Sequence, residues 1–138
     1  MLQRILVAFD GSEQSRKAFD LGLEIADRFR AKLLVVSVIQ LPEPATSVEI
    51  AELLDREQEH LLGEMAHLRK RAEEFGIELE THIAAGHPAE QIIRYAEDCR
   101  ADMIIMGRRG RTRVTRWILG SISERVLRYA HCPVTVIK

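Results

Sequence analysis

Cysteine is scarce in this sequence, and neither copy is placed for a structural task. Cys99 and Cys132 lie thirty-three positions apart with no C-x-x-C and no Cys/His spacing. That excludes a disulfide framework or a zinc module and leaves both as small core residues. His60, His67, His82, His87 and His131 likewise show no ligand spacing, so no metal site is expected. Long apolar runs are missing too. The segment "RILVAF" near Met1 is cut short by Asp10 and is too brief for a signal peptide, and no stretch approaches the length of a bilayer span. The expectation is a cytoplasmic protein with no membrane partner. Charge of one sign is lacking as well: 20 Lys and Arg face 21 Asp and Glu, for a net charge of −1. A near-neutral chain has no surface-wide footprint for nucleic acid, so any anion must be met locally. Two phosphate fingerprints are absent, since no G-x4-G-K-[ST] run occurs and no G-x-G-x-x-G follows the first apolar segment.

What is present is an ordinary globular mixture, 138 residues with 46% hydrophobic and 30% charged side chains and no repeat or break in composition. It suits one domain spanning residues 1–138. Continuous apolar runs at 4–9, 32–39 and 102–107 read as strands covered on both faces, and residues 78–84 and 133–138 supply two more. Between them apolar residues recur at three and four: Ala18, Leu21, Ile25 and Phe29, then Leu61, Met65, Leu68, Ala72 and Phe75, then Ile92 or Ile93 with Ala96, and finally Ile122, Val126 and Ala130. The order βαβαβαβαβ predicts an open, twisted, parallel five-stranded sheet with helices on both faces. Pro88 suits a first helical position, a long helix spans about 48–75, and Ser121-Ile-Ser-Glu124 has the form of a capping box opening the last helix. The final strand ends the sequence and is expected at a sheet edge, open to a second copy. Proline at Thr135 would then remove a donor from that pairing.

In open parallel sheets ligands bind beyond the carboxyl ends of the strands. Three such ends carry suggestive residues: Ala8-Phe9-Asp10-Gly11-Ser12, Val38-Ile39-Gln40, and Met106-Gly107. From the last departs "MGRRGRTRVTRWILGS", residues 106–121, which holds Arg108, Arg109, Arg111, Arg113 and Arg116 and no acid. Its glycines at 107, 110 and 120, followed by Ser121, form G-x2-G-x9-G-S. Glycines let a backbone approach a ligand closely, and Gly120-Ser121 opens a helix whose unpaired N–H groups can seat a phosphate. Of the arginines, Arg109 is the first candidate to touch that ligand. The others are candidates for a solvated run or a partner patch. Trp117 is read as a packing anchor under the loop, with stacking on a base as the alternative.

These residues resemble the universal stress protein family, and the resemblance covers the whole chain. It is carried by the G-x2-G-x9-G-S spacing, "FDGSEQS", "GHPAEQII" and "GSISERVLRYAHCPVTVIK". It implies a Rossmann-like fold of the adenine nucleotide alpha hydrolase type, and the glycine motif implies the branch that binds ATP as a homodimer. Ala8 and Phe9 match the segment beside the adenine, Asp10 the acid reaching the adenosine, and Val38 the position whose backbone reads the adenine edge. Met106, Gly107 and Gly110 match the half of the motif along ribose and phosphates; Gly120, Ser121, Ile122 and Ser123 match the half at the phosphate chain. Ser37 stands where many members have His, and Ala8 where some have Pro.

The implied function is a nucleotide-dependent regulatory module of a stress response, with ATP as cofactor and a further protein partner. Mg²⁺ would be coordinated mainly by the phosphates, because few acids are at hand to cage a bare ion. The alternative is a weak ATP hydrolase or a nucleotidyl transferase on a related scaffold. Efficient phosphoryl transfer needs metal-binding acids and a positioned base, whereas the sequence offers arginines and one nearby acid, so at most slow hydrolysis is expected. A phosphoreceiver domain is excluded because the third strand ends in "IAAG", where it needs an aspartate.

Overall fold

The computed structural model describes residues 1–41, 46–108 and 119–138. Among them run β1 (Arg4–Ala8), α1 (Glu13–Phe29), β2 (Lys32–Ile39), α2 (Ser47–Glu74), β3 (Leu79–Ala85), α3 (Pro88–Asp98), β4 (Met103–Gly107), α4 (Ser121–Tyr129) and β5 (Val134–Ile137). All pairings are parallel, in the order β3-β2-β1-β4-β5. The chain therefore builds outward from β1 to β3 and then crosses back to β4, so the winding reverses between β1 and β4.

Side chains alternate across a strand, and each inner strand is apolar on both faces for that reason. Ile5 and Val7 join Phe19, Leu23, Leu33, Val35, Met65 and Leu68 in the core under α1 and α2. Leu6 and Ala8 join Leu34, Val36, Ile92, Ile104 and Val126 under α3 and α4. Helix α1 is capped by Ser12, whose side chain accepts the Ser15 N–H. It lies close against β1 because of Gly22, where an added Cβ would stand 2.7 Å from Val7 Cγ2. Helix α2 opens with a full capping box: Glu49 N–H donates to Thr46 Oγ1 at 3.1 Å and Thr46 N–H to Glu49 Oε2 at 2.8 Å. Its buried residues begin only at Leu61, so the first half of the helix stands off the sheet. Phe29 is 58% and Phe75 46% exposed. Both were expected in the apolar stripes, and both fall at helix ends, where the chain turns away from the sheet.

At the amino-terminal end of the sheet, the Asp102 carboxylate accepts the N–H groups of Gln3 and Arg4, each at 2.8 Å. These two bonds hold its pKa below the ordinary carboxylate range. Burial pushes the Cys99 and Cys132 thiols up, and both remain free.

Strand β5 is an edge, as expected, but the direction of its backbone corrects the role given to Thr135. Ile104 N–H bonds Pro133 O, and Arg108 N–H bonds Ile137 O. Odd-numbered residues of β5 thus face β4, and with a period of two the outward groups belong to Val134 and Val136. Proline at Thr135 would break the internal ladder and not the open edge.

Candidate functional site

The ends of β1, β2 and β4 meet over one cavity of about 560 Å³. Its floor runs from Met106 and Gly107 of β4, across Ala8, Phe9 and Asp10 beyond β1, to Val38 and Gln40 at the end of β2. Ser12 and Ser15 come from the start of α1, Pro88 and Ile92 from α3, and Gly120 to Ser123 from α4. This is where a doubly wound sheet opens a crevice, because the connections leaving β1 and β4 go to opposite faces.

The floor is held by hydrogen bonds between strand ends. Phe9 N–H bonds Val36 O at 2.9 Å, and the buried Ser37 hydroxyl donates to Phe9 O at 2.6 Å. Ser37 thereby fixes the backbone that carries Asp10. Asp10 Oδ1 accepts the Ser12 N–H at 2.9 Å, and the Ser15 hydroxyl donates to Ser12 O at 2.9 Å. The acid is therefore set in the turn entering α1, while the cap of that helix is Ser12.

On the far side, residues 108 and 120 are drawn together. Gly120 N–H donates to Arg108 O at 3.0 Å, and the Ser123 hydroxyl donates to Arg108 O at 2.5 Å and to Gly120 O at 3.1 Å. The capping box expected at Ser121–Glu124 does not form. Gly120 is the N-cap, in an extended conformation with no side-chain bond, and Ser121 is already the first helical residue. The serine in this stretch with a structural bond is Ser123, 2% exposed, because its register turns it inward to the loop base. Helix α4 consequently points an uncapped N-terminus into the cavity, and such an end attracts anions through its free N–H groups and dipole.

Ten of the residues singled out in the sequence line this one cavity: Ala8, Phe9, Asp10, Val38, Met106, Gly107, Gly120, Ser121, Ile122 and Ser123. Arg109 and Gly110 lie outside the described residues, as do Arg111, Arg113, Arg116 and Trp117. Arg108, from the same basic run, does line the cavity. Sequence reasoning missed the wall formed by Leu53, Glu57 and Leu61 of α2. Their spacing of four was a legible signal of one shared helical face, but nothing in it said that the face looks over the strand ends. Among the described residues no three His, Cys, Asp or Glu side chains are grouped to hold a metal ion, and no helix is long and apolar enough to cross a membrane.

Fold and cavity together define a doubly wound α/β domain with a cavity at the strand carboxyl ends. Comparison with known proteins makes this specific. The family model described as the universal stress protein family matches residues 1–138, and the chain belongs to that family. It is 36% identical to a universal stress protein of Methanocaldococcus jannaschii over 144 residues, covering 100% of this chain and 83% of the other. The solved UspA of Lactobacillus plantarum superimposes with a TM-score of 0.91 at 30% identity, covering 99% of this chain and 98% of that one. A universal stress protein of Archaeoglobus fulgidus in complex with dAMP shares the fold at a TM-score of 0.71 and 22% identity, each chain covered fully at 100%.

Proposed function

We propose that the protein binds ATP in the cavity at the strand ends and acts as a nucleotide-dependent regulatory module in the cytoplasm, with little or no catalysis. The observation that carries this reading is the uncapped N-terminus of α4, aimed into the cavity that β1, β2 and β4 floor. A glycine cap leaves the first-turn N–H groups to an incoming anion, and the cavity falls in the size range of small-ligand sites. The Archaeoglobus fulgidus relative, solved with dAMP, lends the reading support. Phosphates would lie at Gly120 to Ser123 beside Arg108, the sugar over Asp10, and the base beyond Val38. Mg²⁺ would be held mainly by the phosphates, since Asp10, which lines the cavity, already accepts the Ser12 N–H, and Glu124 of the α4 first turn accepts from Arg128.

Two copies would pair through the outward edge of β5, whose N–H and C=O groups at Val134 and Val136 are open to a partner strand.

Mass spectrometry of small molecules released on denaturing the purified protein tests the nucleotide reading, together with a melting scan of stripped protein. ATP should be released, and Mg-ATP at one hundred times its Kd should stabilise the fold by about 2.7 kcal/mol. No melting shift for protein shown to be free of nucleotide would overturn it.

A further inference from the structure

Resting on that nucleotide reading, we propose that Glu57 selects the base, accepting a hydrogen bond from its exocyclic amino group. Helix α2 leaves the sheet before Leu61, and its free half carries Leu53 and Glu57 over the end of β2. Leu53, Glu57 and Leu61 present one face to the cavity, opposite Pro88 and Ile92 of α3 on the other side of the sheet. The result is a slot between apolar walls, the shape a flat heterocycle fills, with one carboxylate on its rim.

The two ends of the cavity are chemically opposite. The α4 N-terminus and Arg108 favour negative charge at the β4 side, whereas Glu57 repels it at the β2 side. Between them lies β1, so the ends are two strand spacings apart, about 10 Å. A nucleoside phosphate bridges such a span with its phosphates at one end and its base at the other. An ionised carboxylate only accepts hydrogen bonds, so at the base end it favours an edge bearing N–H.

Of the acids of α2, Glu57 is the one that lines the cavity; Glu52, Asp55, Glu59, Glu73 and Glu74 do not line it, and two more are held elsewhere. Glu49 closes the capping box, and Glu64 pairs with Arg16 at 3.0 Å. Among the described residues Glu57 makes no such bond or ion pair. Of the other polar side chains at this end, the Ser37 hydroxyl is committed to Phe9 O, and Gln40 carries a neutral amide without a charge to favour an amino edge.

The experiment compares ATP with purine riboside triphosphate, which lacks the six-amino group and keeps the same phosphates. Titration calorimetry is run on the wild type, Glu57→Ala and Glu57→Gln. The wild type should favour ATP by roughly tenfold or more, the worth of a hydrogen bond to a charged group. In Glu57→Ala the two ligands should bind within about twofold of each other, because the acceptor is gone. Glu57→Gln keeps a carbonyl acceptor and should fall between. Damage to the fold cancels in the ratio, and Glu57→Gln provides it if the alanine variant does not fold. An ATP preference equal in wild type and Glu57→Ala would overturn the proposal while leaving the nucleotide reading intact. Binding of neither ligand to the wild type would sink the nucleotide reading, and the role of Glu57 with it.

Discussion

Ser121→Ala and Ser123→Ala remove the same hydroxyl two residues apart and should behave as opposites. Ser123 is 2% exposed, and its proton is shared between Arg108 O at 2.5 Å and Gly120 O at 3.1 Å. Neither carbonyl is orphaned by the substitution: Arg108 O keeps the Gly120 N–H at 3.0 Å, and Gly120 O keeps the Glu124 N–H at 2.9 Å. The loss should therefore be the ordinary net value of a hydrogen bond, about 1 kcal/mol, and not the larger penalty of a stranded buried group. Ser121 caps nothing and stands exposed as the first residue of α4. Replacing it should change the stability of the ligand-free protein by less than about 0.5 kcal/mol. The order reverses for the ligand. Ser121 can turn its hydroxyl to a phosphate oxygen, so Ser121→Ala should weaken ATP by about tenfold, the scale of a hydrogen bond to a charged group. Ser123→Ala should act on affinity only through the loosened junction of residues 108 and 120, by less than Ser121→Ala. Urea denaturation without ligand and calorimetry with Mg-ATP separate the two. Equal destabilisation of the ligand-free protein by both substitutions would refute the assignment of Gly120 as cap.

Gly22→Ala places a Cβ 2.7 Å from Val7 Cγ2 and 3.2 Å from Leu33 Cδ1, both fully buried. Overpacking of about 1–3 kcal/mol should outweigh a helix-propensity gain of up to about 1 kcal/mol; a urea midpoint at or above wild type would contradict this. Val136→Pro removes an outward N–H from β5 and should give monomers by sedimentation at concentrations where the wild type dimerises, whereas Val136→Thr should not. If Val136→Pro remained dimeric, the interface would lie elsewhere. Asp102 has a lowered pKa in the fold, so its stabilising bonds to Gln3 and Arg4 are fully present above the unfolded value near 4 and lost as pH falls through the folded value. Asp102→Asn should thus be less stable than wild type at pH 7, with the gap closing in acid. A gap independent of pH would mean that the carboxylate charge plays no part.

The alternation of strands and helices was legible in the sequence because apolar periods of two and of three to four are local, and each is set by the geometry of its own element. The position of the cavity at the strand ends was legible for a related reason. The residues ending β1, β2 and β4 are sequence-local groups, and winding in both directions from β1 brings those ends together whatever the side chains are. Other features depended on which way a backbone faces when its neighbours arrive. Ser121 and Ser123 are both serines near a helix start with an acid following. Only the closure of Arg108 O on Gly120 N–H decides that Ser123 turns inward and that a glycine caps α4. Thr135 and Val136 are equivalent as strand residues until pairing with β4 assigns one to the ladder and the other to the open edge. Glu57 reads as one more acid on a charged helix. Its place over the strand ends follows from where Leu61, Met65 and Leu68 anchor the other half of α2 on the sheet, a choice made by packing between segments far apart in the chain.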